Sequence, residues 1–283
     1  MDWTALKLSL ELALWTMLIL LPVGIALARA LAWRAIPFKP WIEGLLALPL
    51  VLPPTVLGYY ILVATGRQTW LGQWYESAAG HPLVFSFEGL VLASVLFNLP
   101  FAIQPMQRAF ESIDRSIREA GACCGLTPWQ SLWTIELPLV WPGVLSAMVM
   151  TFAHTLGEFG VVLMVGGNIP GETRTIAISI YDKVQAFELD AAGAMSFTLV
   201  AISLAAMALA PDVDGAGLLP DAAREGRLLS ATGCSGVLAQ GTIDAGDLIG
   251  PMAGSKLADL LDEIQSGNAY VNVHTNDGAD PPD

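Results

Sequence analysis

The chain has 283 residues, 54% hydrophobic and only 14% charged, where soluble proteins carry about a quarter charged residues, so a membrane protein is the first expectation. Its net charge of −13 is uneven, −4 over residues 1–210 and −9 over residues 211–283, which marks two differently composed regions. No basic patch is present to neutralise phosphates, which argues against nucleic acid as a partner, and Cys123, Cys124 and Cys234 form neither a CxxC pair nor a repeated framework, so no disulfide scaffold or zinc site is expected.

Crossing the hydrocarbon takes about 20 mostly apolar residues, and five stretches qualify, at roughly 8–28, 42–63, 89–106, 139–165 and 191–210. Ala26-Leu27-Ala28 resembles a signal-peptide cleavage site, but Arg29, Arg34 and Lys39 follow the apolar stretch instead of preceding it. The first stretch therefore reads as a retained span. By the positive-inside rule these charges place the first loop in the cytoplasm. Threading adds Arg108, Arg115 and Arg118 to that side, six against the four of Lys7, Arg67, Arg174 and Lys183, and leaves the N-terminus outside. Within the second stretch, Leu48-Pro49-Leu50-Val51-Leu52-Pro53-Pro54-Thr55 interrupts the helix, because proline lacks the N–H that the preceding turn needs. Pro53, Pro54 and Thr55 make either an ordinary kink or a pore-lining bend.

Between the third and fourth stretches, Phe110, Ile113 and Ile117 share one face, with Arg108, Glu111, Asp114, Arg115 and Arg118 around it, which predicts a short amphipathic helix at a water boundary. Gly125 suits the left-handed residue that ends a helix. Thr127-Pro128-Trp129-Gln130 then supplies an N-cap, a first-turn proline and a capping-box Gln. Trp129, Leu132, Trp133 and Leu137 recur at helical spacing, and Pro138 permits the chain to turn before the fourth span begins.

In that span, His154 and Glu158 are four residues apart, so a local hydrogen bond between them competes with a pore role for either. Gly157 and Gly160 suit close helix contact. Gly167-Asn168-Ile169-Pro170-Gly171-Glu172-Thr173 only echoes a phosphate-binding loop, short by one residue and carrying an acid, and reads as a turn-rich external loop. Glu11, Glu43 and Glu158 lie near different spans, with no nucleophile and base at a telling spacing, so no enzyme is indicated. After residue 210 the composition changes. Ser255 caps a helix with Leu257, Leu260, Leu261 and Ile264 on one face, and Tyr270-Val271-Asn272-Val273-His274 alternates as a strand would. His274 has no second ligand at a supporting spacing and reads as a strand-surface histidine, not a metal ligand.

Glu119-Ala120-Gly121, Gly125, Ile135 and Leu137-Pro138 resemble the E-A-A, G, I-x-L-P pattern of the MetI-like permeases of binding-protein-dependent ABC importers, with Gly121 in place of the usual second Ala. Leu50-Val51-Leu52-Pro53-Pro54, His154-Thr155-Leu156-Gly157-Glu158-Phe159-Gly160, Thr173-Arg174-Thr175 and Ile180-Tyr181-Asp182 resemble the molybdate, tungstate and sulfate branch, closer to molybdate. The resemblance spans about residues 5–207. It implies an all-α polytopic protein of the cytoplasmic membrane, with about five transmembrane helices and a cytoplasmic coupling helix-turn-helix. Glu119, Ala120, Gly121, Gly125, Ile135, Leu137 and Pro138 would dock on a separate ABC ATPase, which would use the ATP and Mg; this chain would need no cofactor. An extracytoplasmic molybdate-binding protein would deliver the anion to a path between two permease copies embedded in lipid. Pro53, Pro54, Thr55, His154, Gly157, Glu158 and Gly160 are the pore or gate candidates. Sulfate, thiosulfate or tungstate is the alternative cargo.

Residues 211–283 form a separate acidic tail, expected as a small α+β fragment. Gly241-Thr242-Ile243, Asp247-Leu248 and Gly267-Asn268-Ala269-Tyr270 onward resemble the C-terminal part of a CHRD (chordin-type) domain. A membrane-anchored display protein acting through this tail is the reading from another class.

Overall fold

A computed structural model of the protein describes residues 1–34 and 36–208; these are helical, with no strand among them. They fall into two compact units, residues 1–113 with 136–208, and residues 114–135.

In the first unit, α1 (Trp3–Trp33) opens on Asp2, whose side chain accepts from the Ala5 N–H at 3.0 Å and so satisfies one of the helix's orphan donors. At 1.5 Å per residue its 31 residues run about 46 Å, ample to cross a membrane. Leu8, Leu12, Thr16, Leu20, Gly24 and Ala28 are all buried at a spacing of four, one continuous ridge along the helix. That ridge packs chiefly on α5 (Phe87–Glu111), which in turn packs on α8 (Leu137–Gly157). Helices α1, α5 and α8 thus make the core of the bundle. Much of the remaining apolar surface faces outward: Leu45, Val51, Tyr60 and Phe197 are each more than half exposed, as lipid contact or a further protein surface demands.

Among the described residues, four helical stretches are long and apolar enough to cross a membrane, five if a bent pair counts as one span. The bent pair is α2 (Lys39–Val51) and α3 (Pro54–Thr65), set at 111° to each other. Such an angle exceeds a kink. Leu52 and Pro53 are extended, and neither Pro53 nor Pro54 has an N–H to carry the ladder across. The expected fourth span is also interrupted: α8 ends at Gly157, Glu158 is extended, and a short α9 (Gly160–Gly166) follows.

The loop expected after this span exists over residues 167–175, but it then forms α10 (Ile176–Gln185), capped by Thr175 and burying Ile176, Ile178 and Ser179. A further short helix, α4 (Trp70–Ala79), joins α3 to α5, and α11 (Leu189–Ala208) supplies the final candidate span. The beginning of α1 meets α10, where Ser179 donates to Asp2 at 3.0 Å and Ser9 accepts from the Ile176 N–H at 2.8 Å. At its far end Trp33 reaches the end of α5. Lys39 and Glu111, 3.5 Å apart, lie at that same end.

The second unit holds α6 (Arg115–Cys123) and α7 (Pro128–Ser131). The amphipathic helix expected across residues 108–118 is divided. Phe110 lies in the last turn of α5, the chain turns at Ser112–Asp114, and Asp114 caps α6 by accepting from the Ser116 N–H at 2.7 Å. Asp favours such a cap over a helix interior, which is why the helix restarts here. Cys123 is a free, exposed thiol. The acidic tail, with its expected helix, strand and CHRD-like segment, lies outside the described residues.

Candidate functional site

Two groups of residues stand out, one in each unit. In the first unit the two helix breaks meet. Helix α3 packs on α9, and a β-carbon on Gly160 would stand 2.8 Å from Pro54 Cβ and 3.5 Å from the Thr55 nitrogen. Only a missing side chain permits that approach. Gly58 likewise faces Met164 and the Val161 backbone. Pro53, Pro54 and Thr55 are exposed beside this contact, as is Gly157, which has open space around it and does not mediate the close contact expected of it.

Glu158 is 7% exposed, and its carboxylate does not meet His154. It accepts from the Val161 N–H at 3.0 Å, and the Phe159 and Gly160 amides converge on it as well. The carboxylate thus occupies the N-terminus of α9, where unsatisfied N–H groups and the helix dipole favour negative charge. The expected His–Glu bond fails because the helix stops between the two residues.

His154 turns to α5 instead, where its ring lies against Phe101 and Phe97, at centroid distances of 4.0 and 5.1 Å. Its Nδ1 lies 3.0 Å from Asn98 Oδ1. Asn98 Nδ2 donates to the Ser94 carbonyl at 2.8 Å, and a carbonyl only accepts. The Asn98 oxygen therefore faces the histidine, and Nδ1 carries the proton. The Thr16 and Ser94 hydroxyl oxygens are hydrogen-bonded at 2.9 Å, so one polar ladder joins α1, α5 and α8. Thr16, Ser94 and Asn98 are fully buried. They are buried polar residues that sequence reasoning missed, although three polar side chains inside apolar spans were a signal.

In the second unit, Glu119, Ala120 and Gly121 lie on α6. Glu119 is exposed and accepts from Arg115 at 2.6 Å, Ala120 is half-buried and Gly121 buried. A β-carbon at Gly121 would be 3.0 Å from Ile135 Cδ1, the movable tip of a side chain. The small residue at this position is therefore a matter of space, and the departure from Ala is harmless. Gly125 has φ of 77°, the left-handed conformation expected of it. Thr127 and Gln130 form the reciprocal capping box, with Pro128 in the first turn.

Pro138 does not turn the chain out of its helix. Leu132–Glu136 forms a π-helical turn that runs into α8, with Leu137 and Pro138 in its first turn. The wider turn accommodates a proline whose absent N–H leaves the Thr134 carbonyl without its α-helical donor. Ile135 is fully buried, whereas Trp129 and Trp133 are 67% and 54% exposed and meet edge to face at 5.7 Å. No group of three or more acidic, histidine or cysteine residues among the described residues is arranged to hold a metal.

An all-helical, multi-span bundle with interrupted spans and a capped helix-turn-helix between two of them defines a membrane transport component. Residues 21–212 match the family described as binding-protein-dependent transport system inner membrane component. The chain belongs to that family, and it is a multi-pass protein of the inner membrane. It is 48% identical over 187 residues to the molybdenum transport system permease protein ModB of Azotobacter vinelandii, covering 66% of this chain and 83% of that one. Over 208 residues it is 36% identical to the protein of the same name in Escherichia coli K12, covering 74% and 90%. Its fold is similar to a chain in the crystal structure of a bacterial alginate ABC transporter with its periplasmic protein, at a TM-score of 0.60 and 20% identity, covering 73% and 76%.

Proposed function

We propose that this chain is the permease subunit of an ATP-driven molybdate importer. The observation that carries the reading is the bracket of α6 and α7, where Glu119-Ala120-Gly121, the left-handed Gly125, the capping box at Thr127 and Ile135-Glu136-Leu137-Pro138 combine sequence pattern with matching geometry. The ModB relatives favour molybdate as cargo.

On this reading the bracket docks on a separate ATPase that binds ATP and Mg, and an extracytoplasmic binding protein delivers the anion. The outward apolar surface favours a second copy of the chain beside the first, with the conduit between them. ATP binding closes the ATPase pair, the brackets move, and the bundles open outward. The breaks at Pro53-Pro54-Thr55 and Gly157-Glu158-Gly160 are the gate candidates: two short helices joined at a glycine contact shift more readily than two continuous spans. Glu158 serves as a helix cap and is not a ligand for the anion, which a carboxylate repels. His154 fixes α8 against α5. Residues 1–210 form the transport domain and 211–283 a separate appendage, in keeping with the charge shift and with a family match that ends at residue 212.

The test is uptake of labelled molybdate by vesicles carrying the full complex, with sulfate or tungstate as competitor. ATP-dependent uptake that excess sulfate leaves unchanged is expected. Equal competition by sulfate would reassign the cargo, and uptake without ATP would overturn the reading.

A further inference from the structure

Glu136 is the last residue of the π-helical turn and follows Ile135 directly. Its side chain is only 2% exposed, a burial that a carboxylate tolerates when a charged partner meets it. Arg29, near the end of α1, meets it with both arms of the fork. Nε donates to one carboxylate oxygen at 2.6 Å and a terminal nitrogen to the other at 2.9 Å. Two parallel bonds fix direction as well as distance, which a point charge cannot do.

The guanidinium also lies 5.4 Å from the centroid of the Trp33 ring. The Trp33 indole N–H donates to the Phe110 carbonyl at 3.1 Å, and its ring stands edge-on to Phe110 at 5.3 Å. Phe110 is fully buried in the last turn of α5. One knot therefore ties the end of α1, the end of α5 and the residue that opens α8. The other charge pairs at this end, Lys39 with Glu43 and Glu111, are partly exposed and 3.5 to 3.6 Å long.

Apolar side chains would have sufficed to hold a static junction. Resting on the reading of this chain as a permease driven through its bracket, we infer that Arg29 and Glu136 are positioning residues for energy coupling. Their bidentate pair passes displacement of the residues ahead of Leu137 to α1 and, through Trp33, to α5. Without it, that displacement reaches α1 and α5 only through their side-chain packing against α8.

The experiment uses the full complex with its ATPase and binding protein, in vesicles, and reads three quantities for each variant: inserted protein, ATP hydrolysed, and molybdate taken up per ATP. Arg29→Lys retains the charge and loses the fork, and the double variant Arg29→Met with Glu136→Met removes both charges without leaving one buried. Both are expected to insert and to hydrolyse ATP, with molybdate moved per ATP falling about tenfold, since Arg and Lys are not equivalent at a bidentate site. Exchange of the two residues, Arg29→Glu with Glu136→Arg, is expected to recover part of that ratio. A wild-type ratio in either of the first two variants, or losses that track the amount of inserted protein alone, would overturn the inference. Failure of the wild-type chain to associate with an ATPase would instead overturn the reading beneath it.

Discussion

Gly160 and Pro54 are in van der Waals contact across two interrupted spans, the glycine of one break against the proline of the other. The contact packs α3 against α9. Neither is long enough to cross a membrane alone.

Gly160→Ala places a methyl 2.8 Å from a rigid proline ring and forces the helices apart. Overpacking of this kind costs about 1–3 kcal/mol. The thermal stability of the purified protein should fall accordingly and uptake should fall with it. A variant as stable and active as the wild type would show that the contact is not close in the membrane.

Glu158→Gln should retain uptake within a few-fold, because an amide oxygen still accepts from the α9 amides. Glu158→Ala leaves those N–H groups without their acceptor, at about 1–3 kcal/mol. Comparing the two in an uptake assay separates capping from charge. A sharp gain or loss in Glu158→Gln alone would assign the carboxylate's charge a direct part in anion passage.

Asn98→Ala removes the shared partner of His154 and Ser94. Leaving a buried donor unmet costs about 1–3 kcal/mol, a fall of several degrees in melting temperature for a protein of this size. Asn98→Leu restores volume but not the bond, and should be nearly as unstable. Wild-type melting in both would remove the ladder from the account of the core.

Gly125→Ala puts a β-carbon on a residue with φ of 77°, an expected cost of about 1–2 kcal/mol. The strain falls on the turn between α6 and α7, so copurification with the ATPase should weaken. Gly121→Ala should be close to neutral, since only the tip of Ile135 must move. The opposite ranking would mean that the bracket's turn is not held in the docked form.

What the sequence disclosed was governed by distance along the chain. The capping box at Thr127 and the helix stop at Gly125 rest on residues within a turn of each other, and both were legible. The break at Glu158 was not: no proline marks it, and its stability comes from the α9 amides and from Pro54, about a hundred residues away in the chain. His154 has an apparent partner four residues on and a true one 56 residues back. Arg29 read only as a topogenic charge, because nothing local marks its pairing with Glu136 107 positions later. Pro138 misled for another reason. Proline signals the end of an α-helix, but a π-helical turn ahead of it lets the helix continue.

The most direct test of the coupling role assigned to the bracket is ATP-dependent uptake of molybdate by the reconstituted complex, with residues 115–131 either intact or scrambled in order. Intact protein should bind the ATPase and import molybdate only with ATP, while the scrambled protein inserts normally, fails to retain the ATPase and imports none. Equal uptake by the two would contradict the account.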